Sequence, residues 1–357
     1  QLTNTRPRLA VYTSRHGFGH AVRSAATLER LVKITPVDLH IRVPAPAPKR
    51  PDSLLPYTVS CTEMATDVGV VQSHALEVHL GATRLALEAW QTTVEERTEA
   101  EAAWLVRNAD VVFADMPPMV FEAARRAGIP AIAHGNFSWD WIYGEMGLDE
   151  AAQDAELAYR HANLLIELEP ACPMPAFRQR QRVGVRGRSP SAETTAVRST
   201  LGVGDDKRLV LIAIRGTDAR ACALPPYDPQ VSYIAPDIPL ARDDVISGQG
   251  IPFLDILGAA DLVVAKPGYG IYGDTWAAGV RVLWAPRSGF PEDHILERAF
   301  AQRPGTLVLE SGQLKSGRWA EALAAILTVE QPRRREAPGG QAAAELVASV
   351  LKETAAT

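Results

Sequence analysis

The sequence predicts an α/β protein of two domains, each built on a parallel sheet. Three observations lead there. Short apolar runs alternate with stretches of helical periodicity, the pattern of parallel strands joined by helices. That alternation lapses in an Arg-, Gly- and Ser-rich stretch at 178–192 and restarts at Arg208. The length, 357 residues, suits two domains of ordinary size.

Taken in order, Leu9–Tyr12 is an apolar run long enough for a short buried strand. Ala21, Ala25, Leu28 and Val32 then fall on one face of a helix. Between them, His16-Gly17-Phe18-Gly19-His20 reads as a strand-to-helix turn whose glycines let the backbone approach a ligand. It fits a dinucleotide fingerprint poorly: Val22 stands where a third small residue belongs, and no acid ends the next strand, Leu39–Val43. Pro44–Pro56 reads as an irregular loop. Residues 63–73 lead into a long helical region reaching about Asn108, with Gly81 as its expected break. Asp110–Asp115 is a buried strand ending in an acid, and Pro117 and Pro118 suit the first turn of the next helix. Ala131–His134 is a further strand, followed by the aromatic-dense stretch 136–146. That stretch belongs at the carboxyl edge of the sheet, where α/β ligands bind, or in an aromatic core.

The second half repeats the plan. Arg208–Ile214 is a strand, 219–240 is too Pro-rich to assign, and Phe253–Ala259 is a short helix. Asp261–Ala265 is a strand leading through Lys266-Pro-Gly-Tyr-Gly-Ile-Tyr-Gly-Asp274 into a helix that runs to about Ala278. This second glycine turn suits phosphate at a helix N-terminus. Val282–Ala285 is a strand, a loop carries Glu292, Asp293 and His294, and Gln341–Lys352 is an amphipathic helix.

Composition narrows the function. A net charge of −5 gives no field to draw nucleic acid or an anionic membrane. Cys61, Cys172 and Cys222 are too scattered for a metal site or a disulfide framework, so a reduced, cytoplasmic protein is expected. No run has membrane-spanning length. The sequence opens at Gln1 and not Met, so a few residues are expected to precede it. The P-loop, Gly-x-Ser-x-Gly and His-Glu-x-x-His patterns are absent, as is Asp-x-Asp.

Four motifs carry a resemblance. His-Gly-Phe-Gly-His-Ala-Val-Arg (16–23), Asn-Phe-Ser-Trp-Asp-Trp-Ile-Tyr (136–143), Cys-Pro-Met-Pro-Ala-Phe (172–177) and Lys-Pro-Gly-Tyr-Gly (266–270) are similar to the glycosyltransferase-like domain at the N-terminus of plant L-arabinokinases and related bacterial proteins. The likeness runs from about residue 9 to about residue 305. No kinase part is expected within these residues, since the two α/β domains take up the 357 positions and no glycine-rich ATP-binding segment follows them. More loosely, the chain resembles the MurG group. Both likenesses imply the GT-B fold, two Rossmann-like domains whose parallel sheets face each other across a cleft. The implied division is 1–178 for the acceptor side, 179–192 for a linker, 193–335 for the nucleotide-sugar side, and 336–357 for a helix packing back on the first domain.

The resemblance implies metal-independent, inverting transfer of a sugar from a nucleotide diphosphate donor, UDP foremost, to a hydroxyl of a small acceptor. The nucleotide sugar is a substrate, no cofactor is expected, and natural-product tailoring is the expected setting. Arg215, Gly216, Thr217, Gly250, Ile251, Gly268, Tyr269, Gly270 and Asp274 are implied to bind the nucleotide, and Gly17, Gly19, Glu292 and Asp293 the donor sugar. His16, Asp67, Asn136, Trp139 and Asp140 are the expected acceptor contacts. Two departures leave base and sugar open: the acid is Asp274 where relatives carry Glu, and the later loop lacks an Asp-Gln or Gln-Gln pair. Chemistry asks for a base near neutrality, which a histidine supplies; His20 is the first choice and Asp115 the second. A nucleotide-sugar epimerase, a non-catalytic binder of sugar nucleotides, or an enzyme acting on a phosphorylated sugar would suit the same fold.

Overall fold

The computed structural model describes residues 6–15, 18–74, 77–214, 219–220, 222–236, 238, 242–286, 289–310 and 312–356. The chain forms two units. One is built from Gln1–Ser73, Glu77–Arg186 and Pro338–Thr357, the other from Gly187–Ala337 with the short segment His74–Leu76.

The first unit contains β1 (Arg8–Thr13), α1 (Phe18–Ile34), β2 (Asp38–Val43), β3 (Thr58–Glu63), β4 (Gln72–His74), β5 (Glu77–Val78), α2 (Leu80–Gln91) and α3 (Val94–Asn108). It continues through β6 (Val111–Asp115), α4 (Pro118–Ala127), β7 (Ala131–Gly135), α5 (Trp139–Glu145), α6 (Asp149–Tyr159), β8 (Leu164–Glu169) and β9 (Arg180–Val185). Its seven-stranded sheet runs β3-β2-β1-β6-β7-β8-β9, parallel at every pairing. The strand order reverses between β1 and β6, where Thr13 pairs with Asp115. Such a switch point leaves a crevice at the carboxyl ends of the strands. Central strands such as β6 are buried at every residue, as a sheet covered on both faces requires.

Several expectations shift. Arg180–Val185 is not linker but β9, an edge strand whose arginines and exposed face hide it from hydrophobic pattern reading. The first unit therefore runs to Arg186 and not to residue 178. The exposed edge strand β3 escapes pattern reading for the same reason. The loop read over Pro44–Pro56 ends in a 3-10 turn, Asp52–Tyr57. The long helical region breaks at Thr92 and Thr93, between α2 and α3, while Gly81 sits in the first turn of α2.

The second unit contains α7 (Thr194–Leu201), β10 (Arg208–Ile212), β11 (Val231–Ile234), α8 (Phe253–Ala259), β12 (Leu262–Ala265), α9 (Tyr269–Ala278), β13 (Arg281–Trp284), α10 (Asp293–Ala301), β14 (Thr306–Val308), α11 (Gln313–Ser316) and α12 (Ala320–Thr328). Its sheet, β11-β10-β12-β13-β14, is parallel and switches between β10 and β12. Asp293 and His294, expected in a loop, open α10 instead. A separate core forms around Tyr233, Leu262, Val264, Leu283 and Trp319.

The final helix, α13 (Gly339–Ala356), belongs to the first unit. Ala343, Ala344, Val347, Ala348 and Leu351 join the core that holds Leu28, Leu31 and Val32 of α1. The spacing of those five residues puts them on one face of the helix. Among the described residues no helix is long and apolar enough to cross a membrane.

Candidate functional site

The switch point of the first unit holds a buried polar cluster. His20, Arg23, Ser24 and Thr27 stand three or four residues apart on α1, so they share one face. All four are buried. His20, Arg23 and Ser24 converge on Asp115, the last residue of β6, which is fully buried. His20 Nδ1 lies 2.6 Å from Asp115 Oδ1. Arg23 reaches both carboxylate oxygens, Nε to Oδ2 and Nη2 to Oδ1, each at 2.5 Å. Ser24 Oγ donates to Oδ2 at 3.2 Å. Arg23 Nη2 also stands 2.7 Å from His20 Nδ1. The ionised Asp115 carboxylate can only accept, so the His20 tautomer bonded to it carries its proton on Nδ1, and Arg23 then acts on the ring through its charge. Nε2 is then the ring nitrogen left for a proton transfer.

Burial alone would push the Asp115 carboxyl up. The charges of Arg23 and His20 overcome this and hold it well below the usual carboxylate range. His134 on β7 completes the surround: Nδ1 is 3.5 Å from Asp115 Oδ2 and Nε2 is 3.2 Å from Thr27 Oγ1. Burial pushes His134 down, toward its neutral form. The residue after Asp115 has unusual backbone geometry, Met116 adopting φ of 83°. A non-glycine residue there stores strain of about 1–3 kcal/mol. The Tyr159 hydroxyl secures it by donating to the Met116 carbonyl at 2.6 Å.

The expected acceptor residues separate. Asp67 is buried beside the same sheet edge, accepting from the Ser14 hydroxyl and from the Arg15 amide at 3.0 Å. Asn136 is a clamp, its amide donating to the Leu168 and Pro170 carbonyls at 3.1 and 2.9 Å. Trp139 is no surface platform: it is fully buried, stacks on Tyr143 with centroids 5.4 Å apart, and donates to Ser14 Oγ at 3.1 Å. Asp140 is also buried, accepts from the Ser138 hydroxyl, and has its carboxyl pushed up by burial. The aromatic stretch is thus mostly core. His16 and Gly17 lie outside the described residues. Gly19 is exposed in the first turn of α1, and a Cβ placed on it would meet nothing within 4 Å.

In the second unit, Gly268 caps α9, Tyr269 and Gly270 form its first turn, and a Cβ at Gly270 would also enter open space. A helix N-terminus with unobstructed glycines offers its N–H groups to an anion. Ile251 lines a cavity of about 620 Å3 with Leu211, Ile234, Gly248 and Phe253, and Gly250 turns the chain beside it with φ of 83°. Asp274, expected to bind the nucleotide, has a structural partner. It is buried and engaged by Arg188, through the backbone N–H at 2.9 Å and Nη2 at 2.5 Å, so it clamps 187–188 against α9. Glu292 and Asp293 are buried at the start of α10, where Asp293 accepts from the Phe290 amide at 3.1 Å. Arg215, Gly216 and Thr217 lie outside the described residues.

No protein-family model matches the chain. Over 359 residues it is 27% identical to L-arabinokinase of Arabidopsis thaliana, covering 97% of this chain and 34% of that protein. The chain thus spans about a third of the length of that curated relative. Among solved structures it is similar to Arabidopsis thaliana UGT89C1 complexed with UDP, with a TM-score of 0.62 at 14% identity, covering 98% of this chain and 100% of that one. It is also similar to the spinosyn rhamnosyltransferase SpnG, with a TM-score of 0.56 at 15% identity, covering 98% and 96%. The glycosyltransferase of kitacinnamycin gives 0.56 at 13% identity over the same shares. The fold is the GT-B fold of glycosyltransferases.

Proposed function

We propose that the chain moves a sugar from a nucleotide diphosphate donor, UDP foremost, to a hydroxyl of a small acceptor, with inversion and without a metal. The observation that carries this reading is the buried His20–Asp115 pair at the carboxyl edge of β1 and β6. In the transfer, the bond from the anomeric carbon to the diphosphate breaks and one to the acceptor oxygen forms. The acceptor proton passes to His20 Nε2, and the electron pair of the broken bond leaves with the diphosphate. Asp115 orients the ring through Nδ1 and stabilises the imidazolium that results.

The second unit takes the donor in this reading. The N-terminus of α9 holds the diphosphate, and the cavity at Ile251 takes the base. The complexes of UGT89C1 with UDP and with UDP-L-rhamnose support a nucleotide-sugar donor. Asp274 is left out of the ribose contact because Arg188 occupies it, and Trp139 and Asn136 are left out of the acceptor contacts because both are buried in structural roles.

The test has two readouts. UDP, GDP, ADP and dTDP are screened for a rise in unfolding temperature, which a ligand of the folded state produces by mass action. UDP is expected to raise it; if none of the four does, the donor reading is lost. Release of UDP from UDP-sugars is then compared between wild type and His20→Ala. A fall of about 10²–10⁴-fold with UDP binding retained is expected for loss of a general base, and equal rates would remove His20 from that role.

A further inference from the structure

The first unit contains a cavity of about 420 Å3 walled by side chains of α2, α3, α4 and α6. Leu87, Trp90, Met119 and Tyr143 give it apolar walls, and Asp67 lines it as a buried acid, 4% exposed. The hydrogen-bond partners of Asp67 are neutral, the Ser14 hydroxyl and the Arg15 backbone N–H, and the charge that acts on it from nearby is that of His20, which does not hydrogen-bond to it. Among the described residues no lysine or arginine side chain pairs with it. Burial accordingly pushes its carboxyl up, with those hydrogen bonds pulling the other way.

Two of the other three acids of the cavity differ in having an arginine partner. Glu95 and Glu122 are matched by Arg126, at 2.7 and 2.8 Å. Asp154 accepts only from the neutral Gln91 amide among the described residues. A second hollow shares Leu87, Gln91 and Asp154 and adds three acids, Glu88, Asp149 and Glu150, against one cation, Arg84. The cavity thus pairs apolar walls with two carboxylates, Asp67 and Asp154, that have no lysine or arginine partner among the described residues, while its one arginine, Arg126, and its histidine, His161, are engaged by Glu95 and Glu122.

A desolvated carboxylate without a cation is costly, and a ligand that carries a positive charge offsets that cost where a neutral ligand of the same shape does not. We propose that this cavity takes an amine: a small molecule with an apolar body whose protonated amino group pairs with Asp67. This rests on reading the first unit as the acceptor side. The amine holds the acceptor, and a hydroxyl elsewhere on the molecule reacts at His20. Asp67 and His20 serve one sheet edge, because Ser14, which donates to Asp67, follows the Thr13 that pairs with Asp115.

Two probes that differ only in charge decide the matter, 2-phenylethylamine and 2-phenylethanol, titrated calorimetrically into the full chain at neutral pH and low salt. The amine is expected to bind roughly tenfold tighter, the scale of one charge-assisted contact, and to lose that advantage in Asp67→Asn. No amine binding, equal binding of the two probes to wild type, or a preference that survives in Asp67→Asn would overturn the proposal. The wild-type comparison decides even if the variant does not fold. Neither probe needs a donor, so the outcomes separate. Amine binding without UDP-sugar turnover sinks glycosyl transfer alone, and turnover without amine preference sinks the amine site alone.

Discussion

Asp115 is ionised where burial alone would neutralise it, and Arg23 is the largest of the charges responsible. A carboxyl with a depressed folded-state pKa contributes stability that is complete above its unfolded value of about 4 and is lost as pH falls through its folded value. Arg23→Gln removes the bidentate partner and raises the Asp115 carboxyl. The variant is expected to lose about 3–5 kcal/mol, as for other broken buried pairs, and to unfold in acid at a higher pH than wild type. Circular dichroism across an acid titration reads both; coincident curves would show that His20, Ser24 and His134 suffice. Arg23 was legible in the sequence through its position three residues after His20, which puts both on one helical face. The apolar stripe of Ala21, Ala25 and Leu28 on the same helix drew the reading away from that polar face. The Arg188 contact of Asp274 was not legible. The spacing of Asp274 from the glycine turn is visible along the chain, but its partner Arg188 is 86 positions away and only the fold unites them.

Each unit places a glycine in the first turn of a helix that follows a strand at its switch point, Gly19 in α1 and Gly270 in α9. Neither needs to be glycine for packing, since a Cβ at either meets nothing within 4 Å. Helix propensity favours alanine by up to about 1 kcal/mol. Gly19→Ala is therefore expected to leave the unfolding temperature equal or slightly higher while UDP-sugar turnover falls. Unchanged turnover would mean that no ligand comes close to this backbone. Elements were legible where strands are central and apolar on both faces, as with Val111–Asp115 and Leu262–Ala265. Edge strands β3 and β9 were not, because exposed residues and charges erase the period that pattern reading depends on.

At the scale of the molecule, the two cores share no residue. Leu351→Ala, in the face of α13 that covers α1, is expected to cost about 2–5 kcal/mol, as buried Leu→Ala changes do. Hydrogen exchange should locate that loss in the first unit and leave amide protection in β12 and β13 unchanged; an even loss over both sheets would contradict separate cores. The same helix sets an order of assembly. The first unit is made from both ends of the chain, with Gly187–Ala337 between them. During translation the middle segment leaves the ribosome whole while Leu28, Leu31 and Val32 still lack the residues that cover them. The earliest-made unit is thus the last to be finished, and chaperone binding, a premature stop codon or a protease acting before Pro338 would meet one finished half and one with an uncovered apolar strip.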